Sequence, residues 1–122
     1  MDDPQKIADM LNHVFCLKNK TEEYVYLLSF NTKYKLLGVF EVSHGTVDQS
    51  ILNPREVFMK AMLSGATSIV LVHNDPSGDP SPSRLDHDCQ QRIQKAGEIL
   101  GIPLVDFLIV ADEGFVSFAE GF

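Results

Sequence analysis

The chain has 122 residues, 44% hydrophobic and 22% charged, with a formal net charge of −7. That length supports one domain, residues 1–122, and is too short for two; no apolar run approaches the ~20 residues of a membrane span. The ten Lys and Arg residues are scattered, with Lys18 and Lys20 the nearest to a patch, so the chain is not expected to grip nucleic acid by itself.

The N-terminus, Met1-Asp2-Asp3-Pro4, is acidic and lacks the positive segment of a secretory signal. Cys16 and Cys89 lie far apart without a C-x-x-C spacing and read as two free, buried thiols in a reducing cytoplasm. Asp3-Pro4 opens a helix to about Leu17, with Ile7, Met10, Leu11, Val14 and Phe15 at helical spacing. A loop over 18–21 follows. Glu23 to Phe30 is rich in aromatic and β-branched residues and predicts a strand. Asn31-Thr32-Lys33 then turns the chain into a returning strand from Tyr34 to His44, making a hairpin.

A loop from Gly45 to Leu52 leads to Asn53 as N-cap and Pro54 at the first helical position of a helix to about Ser64, closed by Gly65. Val57, Phe58, Ala61 and Met62 fall on one face of it. Ala66 to His73 predicts the next strand, Ser83 to Leu100 a helix stopped by Gly101 with Pro103 beyond, and Leu104 to Val110 another strand. Asp112-Glu113-Gly114 turns into a last strand, Phe115 to Phe118. The order predicts an α/β fold: a mixed sheet, hairpin plus strand-helix-strand, flanked by about three helices. No internal repeat or Gly/Ser linker divides the chain.

The most specific stretch is residues 73–86, His-Asn-Asp-Pro-Ser-Gly-Asp-Pro-Ser-Pro-Ser-Arg-Leu-Asp. It follows the apolar run Ser68-Ile69-Val70-Leu71-Val72 and ends in Ser83-x-x-Asp86, a helix-start signature. One His therefore ends a strand, one Asp sits a turn into the next helix, and a proline-rich loop joins them. That arrangement builds metal sites and catalytic pockets on α/β scaffolds. Each residue also has a plainer reading: a backbone-bonded His73, and an Asp86 that only completes the capping box begun by Ser83. The combination at this spacing favours the site.

The stretch resembles the JAMM signature of MPN-type zinc hydrolases, His-x-His, seven residues, then Ser-x-x-Asp, and its fuller string is similar to the RadC branch. Gly45-Thr46, Asn53-Pro54-Arg55-Glu56-Val57 and Ala96-Gly97-x-x-Leu100-Gly101-Ile102 extend the resemblance over residues 5–120. It implies an MPN/JAB (cytidine-deaminase-like) architecture and hydrolysis of a peptide or isopeptide bond in a protein or peptide substrate. It implies zinc held by two His and the Asp, matching His73 and Asp86, with position 75 as the third ligand. It implies a general-base Glu at the start of the first strand, matching Glu23 (Glu22 as fallback), and oxyanion support from Ser83. RadC proteins commonly carry a helical N-terminal region too, so this chain is expected to be a stand-alone or excised domain.

Two positions depart from the family. Asp75 stands where the second His is expected; its carboxylate reaches less far, and one His with two carboxylates cancels a divalent charge, so Zn²⁺ should bind more weakly and Mn²⁺ or Mg²⁺ become better matched. Phe107 stands where the family commonly has His, in Val105-Asp106-Phe107. His44 and His87 are poor substitutes, His87 because it points roughly 100° from Asp86 on a helix. The leading expectation is an impaired metal-dependent hydrolase. The alternative is an inert MPN-type interaction domain linked to DNA repair or mobile-element functions, and a metal-dependent nuclease ranks last for want of a basic groove. Oligomeric state stays open; exposed strand edges could pair between copies.

Overall fold

The computed structural model of the protein describes residues 6, 7, 9, 10, 23–45, 52–75, 81–111 and 114–119. Five strands form one sheet: β1 (Glu23–Phe30), β2 (Leu36–Gly45), β3 (Ser68–Asn74), β4 (Leu104–Ala111) and β5 (Gly114–Ser117). Their spatial order is β2-β1-β3-β4-β5; β3 and β4 run parallel and the other pairs antiparallel. The helices α1 (Pro54–Leu63) and α2 (Arg84–Leu100) supply the crossovers that a β1-to-β3 neighbour and a parallel β3–β4 pair require. The expected mixed α/β sheet is what forms.

β1 and β3 occupy the middle of the sheet and are buried on both faces, which is why they read as near-continuous apolar runs. Side-chain alternation splits the core in two. Val25, Leu27, Ile69, Leu71 and Ile109 pack with Val57, Phe58 and Ala61 of α1 and Ile93 of α2. Tyr26, Leu28, Val70, Val72, Leu108 and Val110 line the opposite face with Ile7 and Met10. Residues 6, 7, 9 and 10 are helical and Ile7 is buried, as an N-terminal helix against that face requires; the rest of the expected helix to Leu17 lies outside the described residues.

Several boundaries differ from the sequence expectation for local reasons. The hairpin turn is longer than Asn31-Thr32-Lys33. The Asn31 side chain accepts from the backbone N–H groups of Lys33 and Lys35, and Tyr34 adopts a left-handed φ of 58°, so β2 begins at Leu36. The β1–β2 register shifts twice, each time with one extra residue on β2. β3 starts at Ser68 rather than Ala66, because Ala66 and Gly65 close α1 through N–H bonds to Ala61 and Met62 carbonyls. It extends one residue past His73, to Asn74. Asn53 caps α1 through a bond from the Arg55 N–H, as expected.

At the other end, α2 stops at Gly101, whose φ of 73° is the left-handed conformation that suits glycine. Gly97 lets α2 lie directly against the chain entering β4: a Cβ there would sit 2.5 Å from the Ile102 carbonyl oxygen. That close approach fixes how α2, and so its N-terminus, is set over the sheet. No helix among the described residues is long and apolar enough to cross a membrane.

Candidate functional site

The site forms where β3 ends, β1 begins and α2 starts. Val25 pairs with His73 in the β1–β3 register. Glu23 and Val25 share a face by alternation, as do Leu71 and His73, and both pairs face α1 and α2. The sheet therefore delivers an imidazole and a carboxylate to one end of the core. His73 and Glu23 are only 5% and 9% exposed.

Asp86 comes from the helix side. Ser83 and Asp86 make a complete capping box: the Asp86 N–H donates to Ser83 Oγ at 3.1 Å, and the Ser83 N–H donates to Asp86 Oδ2 at 2.9 Å. The other carboxylate oxygen, Oδ1, lies 3.3 Å from His73 Nδ1. The capping role and the site role thus coexist in one residue. Oδ2 starts the helix while Oδ1 orients the imidazole, and the positive end of the helix dipole favours the charge.

On its far side, His73 Nε2 lies 3.7 Å from Glu23 Oε2, beyond hydrogen-bond reach. Both atoms are buried without a hydrogen-bond partner. Burial opposes the imidazolium, but the pull of Asp86, and after it Glu23, outweighs that and carries the His73 pKa from 6.5 to about 9. For Asp86, burial raises the pKa, yet the bond to His73 and the donors of Ser83 hold its carboxyl below the usual 3.8. Without a cation the centre is a buried ion-pair row, Glu23–His73–Asp86, with one flank fully bonded and the other open.

The open flank is the test of whether a metal suits these residues. An imidazole nitrogen and a carboxylate oxygen, both orphaned and side by side, are donors a divalent cation accepts, and neither is satisfied by protein. The fit is partial. Among the described residues no group of three His, Cys, Asp or Glu is arranged to hold an ion. Asp75 directly follows β3, is half-buried, and its N–H donates to the Val110 carbonyl at 2.8 Å, which ties it to β4. Ser83 is largely exposed and its Oγ accepts from Asp86, so the residue expected to support an oxyanion is first a helix cap.

The remaining sequence candidates fall elsewhere. Phe107 is buried in the core and meets the Phe118 ring edge-on at 5.1 Å; His87 is exposed and meets the same ring edge-on, also at 5.1 Å. His44 pairs with Tyr24 in the β1–β2 register. Cys89 is a free, half-buried thiol whose pKa is pushed up by burial. Glu22, Cys16 and the loop 76–80 with Asp79 lie outside the described residues.

One residue beside the site went unnoticed in the sequence. Asn74 is 1% exposed and its Oδ1 accepts from the Tyr24 backbone N–H. It reads as the polar end of an apolar strand, and the only signal was its place between His73 and Asp75.

With this geometry in hand, the comparisons are specific. The family model of the RadC-like JAB domain matches residues 1–121. The chain belongs to the RadC-like JAB domain family. It is 39% identical over 117 residues to a UPF0758 protein of Geotalea uraniireducens, covering 96% of this chain and 50% of that one. A UPF0758 protein of Thermotoga maritima is 43% identical over 98 residues, 80% of this chain and 44% of the relative. One from Clostridium kluyveri is 42% identical over 104 residues, 85% and 46%. This RadC-like JAB chain therefore spans about half the length of the curated relatives it matches.

Proposed function

We propose that this RadC-like JAB domain is a divalent-cation-dependent hydrolase of peptide or isopeptide bonds that works with a weakened cation site. The observation that carries the reading is the open flank of His73: two buried, unpartnered donor atoms, Nε2 and Glu23 Oε2, side by side at the end of the sheet. His73 Nε2 is the anchor for the ion. Asp86, bonded to Nδ1, fixes the ring's orientation and leaves Nε2 facing Glu23. Asp75, two residues along from His73, would supply one carboxylate, and Asp86 would supply the other by turning Oδ1 from His73 Nδ1 to the ion.

When bound, a divalent cation supplies Lewis acidity, polarising the scissile carbonyl and making water a better nucleophile. The chain's own residues do the rest. Glu23 takes the proton from the attacking water and is suited to it by its unbonded oxygen in a buried setting. The Ser83 hydroxyl accepts from the Asp86 N–H and keeps its own hydrogen for a developing oxyanion. Because one imidazole and two carboxylates neutralise the ion, water is acidified less than in a two-histidine site, and Mn²⁺ or Mg²⁺ compete better with Zn²⁺. The substrate is a protein or peptide; a surface of net charge −7 does not suit direct nucleic-acid binding.

The test is calorimetric titration of Zn²⁺, Mn²⁺ and Mg²⁺ into protein purified without chelator or histidine tag, repeated on Asp75→His. The reading expects measurable uptake that requires His73 and a zinc affinity raised by at least ~100-fold in the variant. No uptake by either protein would dispose of it. A second reading, an inert interaction domain, is favoured by one observation: no three-residue ligand group is assembled among the described residues. It predicts that Asp75→His changes nothing.

A further inference from the structure

We infer that Asn74 is a positioning residue that holds Glu23 in register with His73 by clamping the first peptide of β1. The inference rests on the reading of Glu23 as the base of this site and adds the residue through which its placement is achieved.

The backbone pairing of β1 with β3 ends at Val25 and His73. Glu23 lies two residues beyond that last pair, at the strand's first position; on the β2 side it still pairs with Gly45, but on the β3 side the ladder has ended. Yet Glu23 is buried, and its carboxylate is held 3.7 Å from His73 Nε2. The ion pair with His73 is long and does not by itself set the backbone that carries Glu23. On the β3 side the Asn74 side chain takes over from the ladder: its Oδ1 accepts from the N–H of Tyr24 and so stands in for a strand carbonyl.

The peptide that carries this N–H is the one that begins with the Glu23 carbonyl. Fixing its plane fixes the Glu23 Cα and the direction in which the side chain leaves it. Neighbouring residues on a strand point to opposite faces, so Asn74 can grip β1 without occupying the His73 face. Its burial keeps water from competing for the bond. The Asp75 N–H bond to Val110 secures the chain on Asn74's other side, so the clamp is itself anchored to β4. One short β3 segment thus supplies the anchor of the site at His73 and, one residue on, the brace for its base.

The experiment compares wild type, Asn74→Leu and Asn74→Asp, all metal-free, by amide hydrogen exchange and crystallography. In Asn74→Leu the Tyr24 amide should exchange roughly tenfold faster or more, with Leu27 and Leu28 unchanged, as expected for loss of one buried hydrogen bond. In crystals the Glu23–His73 separation should widen by more than roughly 0.5 Å. Asn74→Asp keeps the acceptor at the same reach and should restore slow exchange. If Asn74→Leu does not fold, Asn74→Ser, whose hydroxyl is too short to reach the same N–H, is read in the same way.

A general loss of stability would not reproduce the second readout, a double-mutant cycle on Zn²⁺ affinity. Glu23→Gln should change affinity in wild type and have less than a third of that effect in the Asn74→Leu background, because the two act as one unit. Additive effects, an unchanged Tyr24 amide, or an unmoved Glu23 would each overturn the inference. If wild type takes up no zinc, the hydrolase reading falls, and the exchange rates and crystal separations still decide the role of Asn74.

Discussion

The sheet buries a carboxylate near each of its two ends, and the contrast between them separates structure from chemistry. Asp106, near the start of β4, is 7% exposed, and Glu23, at the start of β1, is 9% exposed. Burial alone does not distinguish them; satisfaction does. Asp106 Oδ1 accepts from the N–H groups of Phe107 at 2.7 Å and Ala119 at 3.0 Å, and Oδ2 accepts from Ser117 Oγ at 2.5 Å. It staples the residues that follow β5 back onto β4. Glu23 leaves Oε2 with no partner and faces an imidazole whose Nε2 is equally bare. A buried acceptor costs free energy when unpaired. One end is closed by three donors and the other leaves two buried atoms unpaired, which is the feature the proposed cation site rests on.

The comparison is sharpest if each end is broken alone. Asp106→Ala removes the acceptor for three donors and should destabilise the fold by about 4 kcal/mol, measured by urea unfolding. Cation uptake should be unchanged; a parallel loss of uptake would show that the ends are not independent. The next effect is that of pH on the open end. The His73 pKa is about 9 in the folded chain against an ordinary 6.5, so its imidazolium contributes about 3 kcal/mol. A raised folded pKa means this stability is fully present below pH 6.5 and is lost as pH climbs through 9. Asp86 works the other way: its depressed pKa gives stability present above 3.8 and lost as pH falls below it. Metal-free protein should therefore be most stable between about pH 4 and 6.5. A cation must displace the His73 proton, so zinc affinity should rise about tenfold per pH unit up to 9. Flat profiles between pH 6 and 10 would show that His73 is not held by its carboxylates.

A smaller effect tests the scaffold between the ends. A methyl group on Gly97 would meet the Ile102 carbonyl oxygen, so Gly97→Ala should cost about 2 kcal/mol in thermal unfolding. Because α2 carries Asp86 at its far end, the His73 pKa, followed by NMR, should fall as well. Stability lost without any change in His73 would mean that helix and site are set separately.

Much of this was legible in the residues. Alternation and helix signals located β1, α1, α2 and β4 closely, because Asn53, Pro54, Ser83 and Gly101 are local signals that read the same in sequence and in space. The convergence of His73 with Asp86 followed from the strand-loop-helix order around them. The turn at Tyr34 did not, because a left-handed φ on a tyrosine reflects how Asn31 folds its own neighbours. Nor did the division of labour in Asp86. One-dimensional spacing said that it could cap or serve the site, and only the separate partners of Oδ1 and Oδ2 show it doing both. Asn74 escaped notice because its partner, Tyr24, is fifty residues away.

The smallest effect is also the most selective. Ser83→Ala removes the Oγ that accepts from the Asp86 N–H and should cost about 1 kcal/mol in unfolding, the usual loss for an N-cap. The reciprocal bond survives, because it is the backbone N–H of residue 83 that donates to Asp86 Oδ2. Asp86 should therefore remain aimed at His73, and the His73 titration, read by NMR on metal-free protein, should stay near 9. If it falls towards 6.5, the hydroxyl orients the carboxylate and the closed flank of His73 depends on a side chain. If it holds, the backbone at the start of α2 sets that flank and Ser83 is free to serve the open end.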